Sequence, residues 1–491
     1  MPGSSSKTGE NAGGASRSTP KQAVVVIHGM GEQRPMSTMR GFVEAVWTSD
    51  PALNPRYAPG QPNKSWVTPD DHTGSHELRR ITTPYLRDEK NRPLWRTDFY
   101  ELYWADLTQD TTRGRIFFWV KELLWRRRSD IPADAVRLYR ATWAFALVTL
   151  VSMAVLAASQ IWDFLSPGCA FALLAFASAV LWVLDHSVIP YFGDVAAYVR
   201  ATPGTVRNRA EVRERGLALL RALSDDDDYD RIVVVGHSLG SMIAYDLLHI
   251  LWAERRPRGL DRRRDKATTD AVKAVEAFAA LPDAAPAQFD AERRAAFRAA
   301  QWRLYLRLRA RGAQDRSPPW KISDLVTVGS PLTHAEFLVT KNAGRFRDGV
   351  GERLFGICPP LSDSASAPKL LYDEAGRGAA LHHGAVFAAT RWTNIYDLGN
   401  LLWTGDPFSG SMAENFGVGV EEFRVAMRRR RWGRLFTHSL YWRQDVSSAG
   451  AGDEGTDAVP AHIRTLRRAV DIRRKAGDPE REPENRNAKD R

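Results

Sequence analysis

Runs of β-branched residues that stop at glycine or proline recur along the chain, and helical stretches lie between them. The clearest run, at 23–27 (AVVVI), leads into the loop HGMG at 28–31, and a similar run at 232–235 leads directly into glycine. The other predicted strands are residues 98–107, 325–328 and 392–396. Uninterrupted apolar strands are typical of a sheet that is buried on both faces. The alternation with helices therefore predicts an α/β fold with a mostly parallel central sheet.

Two long apolar runs interrupt this pattern after the second predicted strand in chain order. Residues 141–162 and residues 164–184 carry no formal charge. A helix of about 20 residues is long enough to cross a bilayer core of ~30 Å. The pattern predicts a two-helix transmembrane hairpin within 136–190, with a pair of buried core helices or an apolar lid as alternatives.

Basic residues flank both apolar runs, whereas the turn between them, at 163–168, contains Asp163 and no Lys or Arg. Because cytoplasmic flanks of membrane helices are enriched in Lys and Arg, both flanks are expected in the cytoplasm. The expected location is thus the cytoplasmic (inner) membrane, multi-pass, with the folded domain facing the cytoplasm. The arginines at 126–128 follow IFFWVKELLW, a segment that could lie on anionic lipid or form an ordinary solvated basic face.

A second insertion, at 253–320, is rich in Arg, Ala and Asp and is predicted to be helical, either as a cap or as a solvated outrigger. The two ends, residues 1–20 and 476–491, are polar and are expected to be disordered tails. The first of them lacks the apolar stretch that a signal peptide needs. The expected organisation is one α/β domain over 21–475, interrupted by the two insertions.

Composition adds a preference for anionic partners. Lys and Arg exceed Asp and Glu by 69 to 58, a net charge of +11, and the 16 Trp favour a lipid–water boundary over nucleic acid, for which no fold signature is present. Two cysteines, Cys169 and Cys358, cannot build a disulfide framework or a cysteine metal site. No phosphate-cradling loop or cluster of metal ligands stands out, so no metal and no cofactor are expected.

A single G-x-S-x-G motif, GHSLG at 236–240, carries the candidate chemistry. The predicted strand lies before it, and helical spacing at 241–252 follows it. A nucleophilic serine needs this context because it sits on a strained turn between strand and helix, where Gly236 and Gly240 avoid clashes. The motif predicts Ser238 as a nucleophile.

A serine hydroxyl needs a base and an acid that orients the base. Only His438 and His462 lie beyond the last predicted strand, and His438 is favoured because an aromatic pair at 441–442 could pack its ring. Asp406, in the turn-forming segment TGDPFSG, is the favoured acid. Asp397 is the alternative acid, although it could instead cap a turn.

An acyl-transfer site also needs donors for the developing oxyanion. In this architecture one donor is the backbone N–H after the nucleophile, here Leu239. The other comes from the loop after an early strand, where Gly29 and Gly31 flank Met30 in HGMG. The N–H of Met30 is therefore the second candidate.

Together these segments resemble the serine lipase and esterase branch of the α/β-hydrolase superfamily. The resemblance rests on VVVIHGMGEQ, ELYWADL, VVVGHSLGS, LVTVGSPL, RWTNIYDLGNLLWTGDP and THSLYW, and it skips residues 110–200 and 253–320. It implies the α/β-hydrolase fold and ester chemistry through a Ser-His-Asp triad and an acyl-enzyme. The segment LGNLLWT lengthens the loop before the acid, which leaves the choice between the two aspartates open.

The expected function is a membrane-associated serine hydrolase of carboxylic esters, foremost lipids, with a lipid or ester substrate and anionic membrane lipid as partners. The alternatives are an esterase or acyltransferase for non-lipid acyl groups that is only anchored at the membrane, or a scaffold that has kept the fold without activity.

Overall fold

The structure is a computed structural model of the chain. It describes residues 19–30, 34–53, 61–70, 72–73, 78–88, 90–107, 125, 131, 136–162, 166–183, 198, 206–281, 289–315, 318–340, 342–363, 369–398, 404–429, 433–434, 436–449 and 459–474. Residues 1–18 and 476–491 of the predicted tails, Gly31, Asp163 and the arginines at 126–128 lie outside the described residues.

Twelve strands are present in the described ranges, and eight of them form one sheet. In chain order they are β1 (Lys21–Ile27), β2 (Trp66–Pro69), β3 (Arg79–Thr82), β4 (Arg96–Leu102), β5 (Tyr229–His237), β6 (Ile322–Val328), β7 (Leu371–Glu374), β8 (Gly378–Leu381), β9 (Arg391–Tyr396), β10 (Glu421–Arg424), β11 (Ala426–Arg428) and β12 (Ser447–Ala449). The sheet order is β10-β9-β6-β5-β1-β4-β3-β2. Pairing is parallel from β10 to β4, and β3 and β2 add an antiparallel edge. The predicted α/β fold with a mostly parallel sheet is confirmed.

Helices cover both faces of the sheet. They are α1 (Ser37–Val43, continued by a π-helix at Glu44–Thr48), α2 (Val136–Trp162), α3 (Pro167–Val183), α4 (Val206–Asp225), α5 (Leu239–Arg255), α6 (Lys266–Glu276), α7 (Ala291–Asp315), α8 (Ala335–Leu338), α9 (Ala343–Gly351), α10 (Ala413–Phe416) and α11 (Ala461–Val470). Alternate residues of β1 enter two separate cores: Val25 and Ile27 pack with residues of α4 and α5, and Val24 and Val26 pack with residues of α1 and α11. Burial on both faces explains why the central strands are continuously apolar.

Helices α2 and α3 occupy the region of the predicted hairpin. Large apolar side chains on them are exposed, among them Leu147 (59%), Leu150 (66%) and Phe171 (73%). For these residues the buried-core alternative is wrong. Within the part of the chain that the structure describes, no helix combines the length and apolarity needed to cross a membrane. The two predicted spans therefore gain no support from the fold.

The second insertion contains α6 and α7, which pack against each other. Phe297, Trp302 and Tyr305 of α7 are buried in the core that covers one face of the sheet. The hydroxyl of Tyr305 donates to the carbonyl of Asp230, near the start of β5. Helix α7 therefore covers one face of the sheet and reaches the end of the sheet at which β5 begins.

The segment after α11 covers that same end of the sheet, where the parallel strands begin. The carbonyl oxygen of Ile472 accepts hydrogen bonds from Nε2 of Gln22 (2.7 Å) and from Nε1 of Trp95 (2.9 Å). The buried guanidinium of Arg231 donates to the carbonyl of Asp471 at 2.8 Å. Polar groups at the starts of β1, β4 and β5 are thus satisfied by the last described residues of the chain, because a buried polar group without a partner is destabilising.

Candidate active site

The predicted nucleophile lies on a sharp turn. Ser238 directly follows β5 and precedes α5, with φ 52° and ψ −129°. This positive φ is uncommon for a residue other than glycine and indicates a backbone held in place by its surroundings. A Cβ at Gly240 would lie 2.3 Å from the carbonyl oxygen of Ile27, and one at Gly236 would lie 2.5 Å from Cα of Ser241. Both motif positions therefore require glycine.

Hydrogen bonds hold this turn against the neighbouring strand. The N–H of Ser238 donates to the carbonyl of Val328, the last residue of β6, at 3.0 Å. The hydroxyl of Ser241 donates to the carbonyl of Ser238 at 2.5 Å and contacts Oγ of Ser330. The strained conformation is thus supported from both α5 and the loop after β6.

The structure pairs His438 with Asp406. Nδ1 of His438 lies 2.8 Å from Oδ2 of Asp406, and Oδ1 of the same carboxylate accepts the N–H of Phe408 at 3.0 Å. Because a carboxylate accepts, Nδ1 carries the proton and Nε2 is left as the basic nitrogen. Burial alone would raise the pKa of Asp406, but the charge of His438 and hydrogen bonds from His438, Tyr441 and Phe408 outweigh it and lower that pKa. Asp406 therefore stays ionised and holds the imidazole.

His237, the residue before the predicted nucleophile, holds the segment that carries His438. Its Nε2 lies 2.9 Å from the carbonyl oxygen of His438, and the two rings are 4.9 Å apart. Burial, reinforced by His438, lowers the pKa of His237 to about 3, so the ring is neutral and Nε2 is its donor. This contact places His438 beside the end of β5, where Ser238 lies. The GHSLG motif by itself does not predict this contact between His237 and His438.

The loop HGMG passes next to Ser238. A Cβ at Gly29 would lie 2.8 Å from Cβ of Ser238, so glycine allows the close approach. His28 fixes this loop to the end of β4: Nδ1 donates to the carbonyl of Gly29 (2.7 Å), and Nε2 accepts the N–H of Trp104 (3.2 Å). Burial lowers the pKa of His28 to about 4, which keeps the ring in this neutral form.

The two candidate oxyanion donors lie in the elements that meet at Ser238. Met30 is buried at the end of the described part of the HGMG loop, and Leu239 is the first residue of α5. N–H groups in the first turn of a helix have no intrahelical partner and face the positive end of the helix dipole. Such an end suits a developing negative charge.

The alternative acid and the alternative base have other partners. Oδ1 of Asp397 accepts from Arg434 (2.5 Å), and Oδ2 accepts from the hydroxyl of Thr437 (2.8 Å) and a backbone N–H. Burial raises the pKa of Asp397 in spite of these bonds. The ring of His462 contacts Oγ of Ser448 and the carbonyl of Arg443, each at 2.9 Å. Asp397 therefore ties the segment before His438 to the end of β9.

Comparison with protein-family models, with curated proteins and with solved structures found no match to this chain.

Proposed function

We propose that this chain is a serine hydrolase of the α/β-hydrolase type that cleaves carboxylic esters through Ser238, His438 and Asp406. The observation that carries the proposal is the 2.8 Å contact between His438 and Asp406, held by His237 beside a strained serine at the strand-to-helix turn. A scaffold without activity would have no need of this strain or of a buried, ionised carboxylate on a histidine.

In the proposed reaction Oγ of Ser238 attacks the ester carbonyl while Nε2 of His438 takes the hydroxyl proton. Asp406 stabilises the imidazolium that forms. The N–H groups of Met30 and Leu239 stabilise the oxyanion of the tetrahedral intermediate. His438 then returns the proton to the leaving alcohol, which produces an acyl-enzyme. Water attacks the acyl carbonyl while His438 takes its proton, and His438 returns that proton to Oγ of Ser238 as the carboxylic acid leaves.

We assign lipids as the foremost ester class because of α2 and α3. Their exposed apolar side chains form a surface that water does not favour. The net charge of +11 adds attraction to anionic lipid. The surface thus fits a role at the cytoplasmic side of a membrane, with α2 and α3 in contact with the lipid. The alternative remains an esterase or acyltransferase that uses the membrane only as an anchor.

A panel of esters tests the substrate class. Purified protein is expected to hydrolyse p-nitrophenyl esters and diacyl or monoacyl lipids, and an alkyl fluorophosphonate is expected to label Ser238 covalently. Turnover should rise when a lipid ester exceeds its aggregation concentration, because the apolar helices then meet a surface. Turnover of soluble short esters alone would favour the non-lipid alternative, and acyl transfer to an added alcohol in preference to water would favour an acyltransferase.

Binding to vesicles tests the role of α2 and α3. The protein is expected to float with vesicles that contain anionic phospholipid, and the double variant Leu150→Asp/Phe171→Asp should weaken this binding by roughly tenfold or more, because two exposed apolar contacts become charged. Leu354→Asp is the matched control, since Leu354 is equally exposed (67%) but lies outside these helices. Alkaline carbonate extraction of native membranes then separates an inserted hairpin, which stays in the pellet, from surface attachment. A wild-type protein that does not bind vesicles would contradict the lipid assignment.

A further inference from the structure

The hydroxyl of Tyr441 makes a hydrogen bond that the proposed reaction has not used. It donates to Oδ2 of Asp406 at 2.7 Å, the same oxygen that lies 2.8 Å from Nδ1 of His438. Tyr441 is 1% exposed. The acid of the proposed triad is thus held by a phenol as well as by the histidine that it orients.

Because an ionised carboxylate can only accept, the proton of this bond comes from the phenol oxygen. The backbone N–H of Asp397 donates to it at 3.1 Å, and Oγ of Ser409 lies at 3.1 Å. A backbone N–H can only donate, and a phenol has one proton and two acceptor sites. The single proton of Tyr441 is therefore directed to Asp406, and the phenol oxygen accepts from the N–H of Asp397. Burial and the charge of Asp406 raise the pKa of Tyr441 well above its ordinary value, so this proton is retained.

The ring of Tyr441 and the carboxylate of Asp406 both pack closely against Gly329. A Cβ at Gly329, just after β6, would lie 2.7 Å from Cε2 of Tyr441 and 3.0 Å from Oδ2 of Asp406. Gly329 has φ 58°, a conformation that glycine adopts without strain. Tyrosine ring, glycine and carboxylate therefore pack as one unit.

We propose that Tyr441 is a positioning residue: its hydroxyl fixes the Asp406 carboxylate in the orientation that holds Nδ1 of His438, and it disperses part of the negative charge of that carboxylate. This inference rests on the proposed function and adds a residue to it. The titratable groups that face the bond are His438 on the same segment, His237 from the end of β5, and Asp397 from the end of β9, which is paired with Arg434.

The test compares Tyr441→Phe with Tyr305→Phe. Both tyrosines are fully buried, and each variant loses a hydrogen bond from the phenol hydroxyl. The hydroxyl of Tyr305, however, donates to a backbone carbonyl at the other end of the strands, away from Ser238. Tyr441→Phe is expected to lower kcat for a p-nitrophenyl ester roughly tenfold, with KM within about twofold, since a hydrogen bond to a charged group is lost. Without the phenol, Asp406 attracts the protonated imidazole more strongly. The acidic limb of the kcat/KM profile should therefore move to higher pH by about half a unit or more.

A fluorinated tyrosine at position 441 provides a test that preserves the fold if Tyr441→Phe does not fold. It keeps the shape of the ring and makes the phenol a stronger donor, so the acidic limb should move to lower pH. In an Asp406→Asn background, Tyr441→Phe should cost less than in the wild type, because its effect passes through Asp406.

Two results would overturn the inference. One is a fall in kcat in Tyr441→Phe that only equals the fall in Tyr305→Phe. The other is an acidic limb that moves neither in Tyr441→Phe nor with the fluorinated tyrosine, while Ser238→Ala is inactive. If Ser238→Ala instead keeps its turnover, it is the proposed function that fails.

Discussion

Ser238→Ala is expected to abolish ester hydrolysis, with a fall in kcat on the order of 10⁴- to 10⁶-fold, while the protein folds as before. Loss of Oγ removes the atom that attacks the carbonyl. The Cβ that packs near Gly29 is retained, and the positive φ of the turn is imposed by the surrounding hydrogen bonds rather than by the hydroxyl. The melting temperature should therefore stay within about 3 °C of wild type.

The measurement is p-nitrophenyl ester turnover beside a thermal melt, together with labelling by an alkyl fluorophosphonate. Ser224→Ala is the matched control, because Ser224 is also buried but donates only to the carbonyl of Leu220 within α4. If Ser238→Ala turns over substrate within a few-fold of wild type, or is still labelled, Ser238 is not the nucleophile.

His438→Ala is expected to cost about as much as loss of the serine, because the members of a triad act as a unit. For the same reason Ser238→Ala should cause little further loss in the His438→Ala background. His462→Ala is the control: its ring is buried and bonded, but to Ser448 and Arg443. It should lower stability with less than about tenfold effect on kcat. Equal inactivation by both histidine variants would show that the loss reflects folding rather than proton transfer.

The acid is tested in the same series. Asp406→Asn should lower kcat by about 10²- to 10⁴-fold, because an amide at this position cannot stabilise the imidazolium. Asp397→Asn should instead lower the melting temperature, since Arg434 and Thr437 lose a carboxylate partner. A greater loss of kcat in Asp397→Asn would transfer the role of the acid to Asp397.

The central strands could be predicted because they are apolar on both faces. The run at 23–27 lies within β1, and 232–235 lies within β5. The short strands β2 (WVTP) and β3 (RRIT) were not predicted, because partly exposed edge strands carry no apolar run. The fold class could therefore be predicted from this sequence, but the number of strands in the sheet could not.

The candidate active site could be predicted only in part, for a different reason. The motif places Ser238 on its turn because local backbone chemistry requires the glycines. The choice between Asp397 and Asp406 depends on side-chain direction, since the N–H of Asp406 donates to the carbonyl of Asp397 at 2.7 Å and the two lie together. The contact of His237 with His438 joins positions some 200 residues apart. No local pattern of apolar and polar residues reports such a contact.

During synthesis, Gln22 and Arg231 leave the ribosome long before residues 470–474, whose carbonyl groups they bind. At a synthesis rate of about 5 to 20 residues per second, Asp471 is added roughly 10 to 50 s after Arg231, whose guanidinium binds its carbonyl. Contacts of this sequence separation slow folding, because a long loop must close before they form. Until then β1 and β5 expose apolar strands that can pair with other chains. The nascent chain is therefore expected to need protection from aggregation until α11 and residues 471–474 have emerged.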